Sequence, residues 1–363
     1  MNPTQPPTAP LSAFKLAGVV VLTLALSLFF FSPSLWIMRQ PMPGSYQWDR
    51  GLTYLRQCEQ PLRRDIETAM HWRLLPPLAA HTIGLRGKTP LVIPWLGALA
   101  VIAYVAVLLR RRSADVRVVL GGTIIFASTS AINVPLGLLG LNDAWVWLGL
   151  FAVAFARSGW AVPLACLLCP WVDERFIIGF PLAWCVARVE RNEAIISLNL
   201  LQGLWLIPYA VIRLYLTRVL PSSGGAQSGF IAYTLQSFPG VAPLVPFGWW
   251  FGLRAAWLGV FYAGLCCPRS HRLIATLTLG GTLGVTAVLA HDLSRSVAIV
   301  LPVAMLGAFD FLRRRPEHGP RVFALVGVLA LLLPTAHVIY HTIQPISPLP
   351  VEVFRLLRST SLP

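Results

Sequence analysis

Four short stretches of this 363-residue chain carry side chains able to do chemistry. The first holds Asp49, then Arg63, Arg64 and Asp65, then His71, Trp72 and Arg73. A carboxylate in such a setting can act as a general base toward a hydroxyl acceptor, and neighbouring guanidiniums can grip a phosphate or pyrophosphate through bidentate hydrogen bonds. Asp49 and Asp65 are therefore the candidate bases, and Arg63, Arg64 and Arg73 the candidate phosphate ligands. The second stretch is Asp173, Glu174 and Arg175, three consecutive ionisable residues between apolar segments, where charges persist only if they are paired or face a polar cavity. The third is His291, Asp292 and Arg295, an acid–base pair followed by an anion clamp; Asn142 and Asp143 form a weaker fourth. Each has a plainer alternative: a solvated loop touching lipid phosphates, an ion pair that anchors a turn, or a polar loop.

The elements that must position these residues follow from composition. Apolar residues make up 56% of the chain and charged residues 12%, about half the roughly 25% that a soluble domain uses to wet its surface. With a mean hydropathy of +0.68 and apolar runs such as Leu16 to Phe31 and Leu91 to Leu109, the chain reads as an integral membrane protein. The net charge of +15 does not indicate nucleic acid, because the arginines lie scattered between apolar runs rather than on one polar face.

A crossing of about 20 residues predicts an all-α polytopic transmembrane bundle with about eleven spans. These are Phe14 to Met38, Pro90 to Leu109, Val116 to Leu136, Ala144 to Ala156, Trp160 to Pro170, Phe176 to Ala187, Ala194 to Tyr215, Pro246 to Leu265, Leu273 to Ala290, Val297 to Leu312 and Val322 to Tyr340. The three between Ala144 and Ala187 are short. The triplets Arg110 to Arg112 and Arg313 to Arg315 both follow even-numbered spans, so the positive-inside rule puts the N-terminus in the cytoplasm of a plasma-membrane protein. Merging the two short segments around Asp173 would invert that parity, which makes 170–175 an outer-face turn. The same topology sends Asp49, Asp65, Asp143, Asp173, Glu174 and Asp292 to the outer face, together with the two longest polar segments, 39–89 and 218–245. One transmembrane domain, 14–343, lies between a disordered tail, 1–13, and an outer tail, 344–363; the Pro-containing stretch Gln344 to Pro350 reads as an extended or disordered arm.

From Ile66 onward the pattern fits a helix lying in the interface, with Trp72 and Arg73 at headgroup depth over Leu74, Leu75 and Leu78. Arg213 and Arg254 fall in or near spans, and Arg254 is expected to snorkel outward. His337 and His341 stand four apart on a helical face. Cys166 and Cys169 have metal-like spacing without a second pair, so they read as small buried apolar residues. No metal, nucleotide or nucleophile motif is present, which leaves any cofactor unassigned.

A first span, a long outer loop bearing an Asp, an interfacial helix and many spans with short middle helices resemble the membrane-embedded glycosyltransferases of the GT-C fold. The residues Arg63 to Asp65, Trp72 to Ala79 and Pro170 to Phe176 also resemble those of bacterial polytopic proteins of no assigned function. The GT-C resemblance implies a sugar moved from a polyprenyl-phosphate donor to an outer-face acceptor, with the first-loop carboxylate, Asp49 or Asp65, as base. Arg63, Arg64, Arg73 and Arg295 would bind the donor phosphate, and the partners implied are membrane lipid and an anionic lipid-linked substrate. The competing expectation is a non-catalytic lipid or solute transporter, or a scaffold, in which these charges form structural pairs.

Overall fold

The computed structural model describes residues 11–34, 46–63, 65–66, 68–193, 198–219, 228–289, 292–339 and 341–360. The chain is mostly helical. Helix α1, Ala13–Phe30, starts at Ser12, whose hydroxyl accepts from the Lys15 amide, and it is apolar on every side. Only 17% of it is buried, whereas the helical stretch Leu293–Arg314 is 94% buried. An apolar helix exposed around most of its circumference suits lipid, and one enclosed by its neighbours suits the centre of a bundle.

Among the described residues four helices are long and apolar enough to cross a membrane: Ala13–Phe30, Thr89–Arg110, Leu235–Cys266 and Leu293–Arg314. A fifth results if Val116–Ala127 and Ser130–Gly137, bent by 61° at their junction, count as one. Asp143–Phe155, Ala161–Trp171 and Gly319–Leu332 are apolar but shorter. Hydropathy windows count apolar residues and do not register breaks in the backbone.

Two helix crossings are made possible by glycine. A Cβ on Gly121 would lie 2.3 Å from the Phe323 carbonyl, and a Cβ on Gly327 would lie 2.9 Å from the Gly121 Cα. Likewise a Cβ on Gly259 would lie 2.3 Å from the Ala304 carbonyl. Small residues bring helix backbones together in this way in membranes, where burying apolar surface gives little drive for association.

Several expectations are corrected. Val322 to Tyr340 is not one span: the helix ends at Leu332, and Thr335–Ile339 (β1) pairs antiparallel with Thr342–Ile346 (β2), His337 opposite Gln344. Of the stretch read as an extended or disordered arm, Gln344 to Ile346 belong to strand β2, and Leu349 and Pro350 open a helix over Leu349–Thr360. His337 and His341 do not share a helical face. The segment 218–245, expected to be a loop, is helical over Ser228–Val241. In the first loop the main element is a helix over Tyr46–Glu59. Beyond it Trp72, expected at headgroup depth, is 1% exposed and enclosed by the protein, Leu74 is buried as well, and Leu78 stands out at 47%. Trp72 and Arg73 face inward because their partners do, with the Arg213 guanidinium 4.6 Å from the Trp72 ring.

Candidate functional site

Three helical stretches deliver charge to one end of the bundle. Asp143 opens Asp143–Phe155, Asp173 and Glu174 immediately precede Arg175–Arg191, and Asp292 caps the buried Leu293–Arg314, whose first turn carries Arg295. Carboxylates at helix N-termini face the positive ends of the backbone dipoles and unpaired amides. Asp173 uses this directly, its Oδ1 accepting from the Arg175 amide at 3.0 Å.

Guanidiniums then link the carboxylates. Arg295 donates through Nε and Nη2 to the two oxygens of Asp143 at 2.5 and 2.7 Å, and through Nη1 to Asp292 Oδ2 at 2.5 Å. Arg175 bridges Asp143 at 3.3 Å, Asp173 at 3.2 Å and Asp292 at 3.0 Å. Arg73 reaches Asp173 at 2.9 Å, and Arg213 donates to Glu174 at 3.1 Å. Arg295 is 1% exposed and Asp173 2%. Burial by itself would raise the Asp292 pKa, but Arg295 and Arg175 outweigh it and hold the carboxyl well below the usual range. Such a carboxylate is a poor general base at neutral pH.

A polar layer of Ser130, Asn133, Ser294, Thr335 and His337 lies against the network. Ser130 Oγ donates to the Ser294 carbonyl at 2.6 Å, and Asn133 Nδ2 donates to Thr335 Oγ1 at 3.0 Å. Ser294 Oγ lies 2.8 Å from His337 Nδ1 and accepts from the Val338 amide at 3.1 Å, while His337 Nε2 faces Asp292 Oδ1 at 3.9 Å. Ser, His and Asp in line suggest nucleophilic chemistry, but Ser294 and His337 are wholly buried, so no substrate reaches the hydroxyl. The row pins the hairpin to the bundle.

Burial pushes His337 down to about 4, against the upward pull of Asp292. The unfolded chain, with an ordinary imidazole near 6.5, takes up a proton that the folded state refuses between about pH 6.5 and 4. Stability is therefore complete above pH 6.5 and falls as pH drops toward 4, by up to about 3 kcal/mol. Thermal melts from pH 7.5 to 4.5 in one detergent are expected to show this decline, and a shallower one in His337→Gln. An equal slope in the variant would show that other groups carry it.

Beside the network is a cleft lined by Arg50, Gln57, Arg73, Asn142, Asp143 and Arg295, with Tyr54 and Met70 on its wall. Its volume of about 20 Å³ has room for about one water. The structure thus joins Arg73, Asp173, Glu174, Arg175, Asp292 and Arg295 from the sequence candidates, with Asp143 as a hub. It does not bring in the proposed bases. Asp49 is exposed on Tyr46–Glu59, and Asp65 is 61% exposed and paired with Arg63 at 2.6 Å. That pair holds Asp65 down to about 2. Arg64 and His291 lie outside the described residues.

Arg50 and Gln57 are not singled out by sequence reasoning, and His337 is named there only as one of two histidines on a helical face. Arg50 is adjacent to a candidate, but nothing in the sequence fixes which of two neighbours turns inward. Asp143 carries a usable signal, a lone acid beside an apolar run. Arg254, expected to snorkel, is fully buried and donates to the Ser128 carbonyl at 2.8 Å and to that of Leu333. Cys166 and Cys169 are buried, as expected. Among the described residues no group of three or more His, Cys, Asp or Glu is arranged to hold a metal ion. No family model, curated protein or solved structure matches the chain, so the site is read on its own geometry.

Proposed function

We propose that this chain is a plasma-membrane protein of the GT-C kind, its N-terminus cytoplasmic and its shorter apolar helices counted among about eleven crossings. On this reading it transfers a sugar from a polyprenyl-phosphate donor to an acceptor at the outer face. The observation that carries the reading is the cleft where Arg50, Arg73 and Arg295 converge at the foot of the first-loop helix. Three guanidiniums against one carboxylate, Asp143, leave the lining with an excess of positive charge, which fits a lipid-linked phosphate. Asp49, next to Arg50, is the base: it takes the acceptor hydroxyl proton while the oxygen attacks the anomeric carbon, and the polyprenyl phosphate leaves with the electron pair of the bond to the sugar. Asp65 is the weaker choice, because its salt bridge with Arg63 lowers its pKa far from the working pH.

A second reading, a non-catalytic transporter or scaffold, is favoured by one observation. The carboxylates of the network all carry arginines, and the cleft has room for about one water. The deciding assay is transfer from radiolabelled polyprenyl-phosphate sugars by the purified protein in lipid nanodiscs. Asp49→Asn is expected to lose at least about 100-fold in rate, the usual contribution of a general base, and Asp65→Asn little. Equal transfer by both variants and the unmodified protein removes the base. No transfer from any donor supports the non-catalytic reading.

A further inference from the structure

A second charged site lies at the opposite end of the same helices. Asp143–Phe155 and Arg175–Arg191 each begin in the ion-pair network, and the second runs about 24 Å at 1.5 Å per residue before it ends. Where they end, a cavity of about 320 Å³ opens, lined by Arg111, Arg112, Arg157, Glu190 and Arg191 over a floor of Leu108, Phe155 and Phe309. It is more than ten times the size of the cleft at the network end. Its volume falls at the lower end of the roughly 300–1,000 Å³ typical of ligand pockets.

The charge there is unbalanced. Among the described residues Glu190 is the one carboxylate on the lining, and it pairs with Arg112, whose guanidinium also lies 4.6 Å from the Phe309 ring. Arg191 donates to the Ala156 carbonyl at 2.9 Å. Among the described residues neither Arg111 nor Arg157 has a side-chain partner, and both are exposed. Burial and the nearby guanidiniums of Arg157 and Arg313 depress the Arg112 pKa, a sign of cations held close together. Arginines at span ends ordinarily report topology and fan out into the headgroups. Here residues distant in sequence, from 111 to 191, surround one concavity with an aromatic floor, an arrangement that retains an anion rather than merely meeting a surface.

We propose that this cavity binds a phosphate-bearing anion, its charge held by Arg111, Arg157 and Arg191 and its apolar part lying on Leu108, Phe155 and Phe309. Two sources share that chemistry: the headgroup of an anionic phospholipid and a free phosphate. The site is independent of the network end and of any transfer reaction there.

The test is the thermal stability of the full-length protein in detergent, titrated with phosphatidylglycerol, phosphatidylcholine or inorganic phosphate, with native mass spectrometry of bound lipid. Phosphatidylglycerol, but not phosphatidylcholine, is expected to raise the melting temperature and to remain bound. Its half-maximal concentration should rise at least tenfold in Arg111→Gln/Arg157→Gln and in 0.5 M NaCl, where screening is strong. Protection by inorganic phosphate at the same site, equally lost in the double variant, assigns the free anion; protection by phosphatidylglycerol alone assigns the lipid. Equal protection by both lipids, or full retention of binding in the double variant, overturns the proposal. Among the described residues the two substituted side chains have no side-chain partners to lose, and Arg111→Lys/Arg157→Lys, which keeps the charge, should recover most of the binding. If neither pair folds, the unmodified protein still decides: no preference for either anion over phosphatidylcholine overturns the site.

Discussion

Replacing Arg295 with methionine is expected to destabilise the folded protein by about 3–5 kcal/mol, the usual penalty for removing one partner from a buried ion pair. The effect is large because one side chain serves two acids. Both oxygens of Asp143 and Oδ2 of Asp292 accept from Arg295, which is itself enclosed. Arg175 touches both acids as well, but more distantly, at 3.3 and 3.0 Å, and it also serves Asp173. With Arg73 at Asp173, the single charge of Arg175 cannot match both Asp143 and Asp292. The checks are melting temperature and the monodisperse fraction recovered in detergent, for Arg295→Met and for Asp143→Leu/Arg295→Met. The double variant removes a charge of each sign and is expected to recover much of the loss, since a buried pair is roughly neutral against an apolar replacement. A single variant that melts with the unmodified protein would mean that water enters the network and the charges are not truly buried.

Part of that network is legible in the amino-acid sequence. Span parity puts Asp173, Glu174, Arg175, Asp292 and Arg295 on one face, and the turn between the helices Ala161–Leu168 and Arg175–Arg191 does carry Asp173 to the same end as Asp143. Charges in apolar surroundings must find one another, so they can be grouped without knowing the packing. Facing directions are not legible in the same way. Nothing local distinguishes Asp49 from Arg50, and Trp72 with Arg73 reads as an interfacial pair until Asp173, a hundred residues away, supplies the ion-pair partner. The hairpin is hidden for another reason. Pro334 interrupts an apolar run from Val322 to Tyr340, and hydropathy does not separate a short buried strand from the end of a helix. Periodicity therefore assigns His337 a helical register it does not have. Its pairing across the hairpin, and with Ser294, is long-range in sequence.

Arg254 is where sequence reasoning fails most, and the second large effect is expected there. A charge inside an apolar segment invites the picture of a side chain stretching to water. Instead the guanidinium sits where two helices end. Ser128 closes Val116–Ala127 and Leu333 closes Gly319–Leu332, and Arg254 donates to the carbonyls of both caps. Each helix leaves its last carbonyls without internal partners at the negative end of its dipole, so two such ends can hold a cation in place of a carboxylate. The Phe31 ring, at the end of the first helix, lies 5.0 Å from the same guanidinium. The backbone also yields to this arrangement: Arg254 has φ +49° and ψ −125°, a region that disfavours any Cβ and that persists only when surrounding contacts impose it. Arg254→Leu is expected to cost about 2–4 kcal/mol, from the lost dipole interaction and the lost bonds to two cap carbonyls, of which that of Ser128 keeps Asn133 Nδ2 as a donor at 2.9 Å while the half-buried one of Leu333 is left unbonded. Arg254→Lys should recover only part, because one ammonium lacks the fork that spans two acceptors. Arg254→Gly separates the two contributions, since it relieves the backbone while removing the donors. Melting temperatures of the three variants decide the matter: a leucine variant as stable as the unmodified protein would show that the caps contribute nothing. A glycine variant falling between leucine and lysine would place most of the energy in the bonds to Ser128 and Leu333.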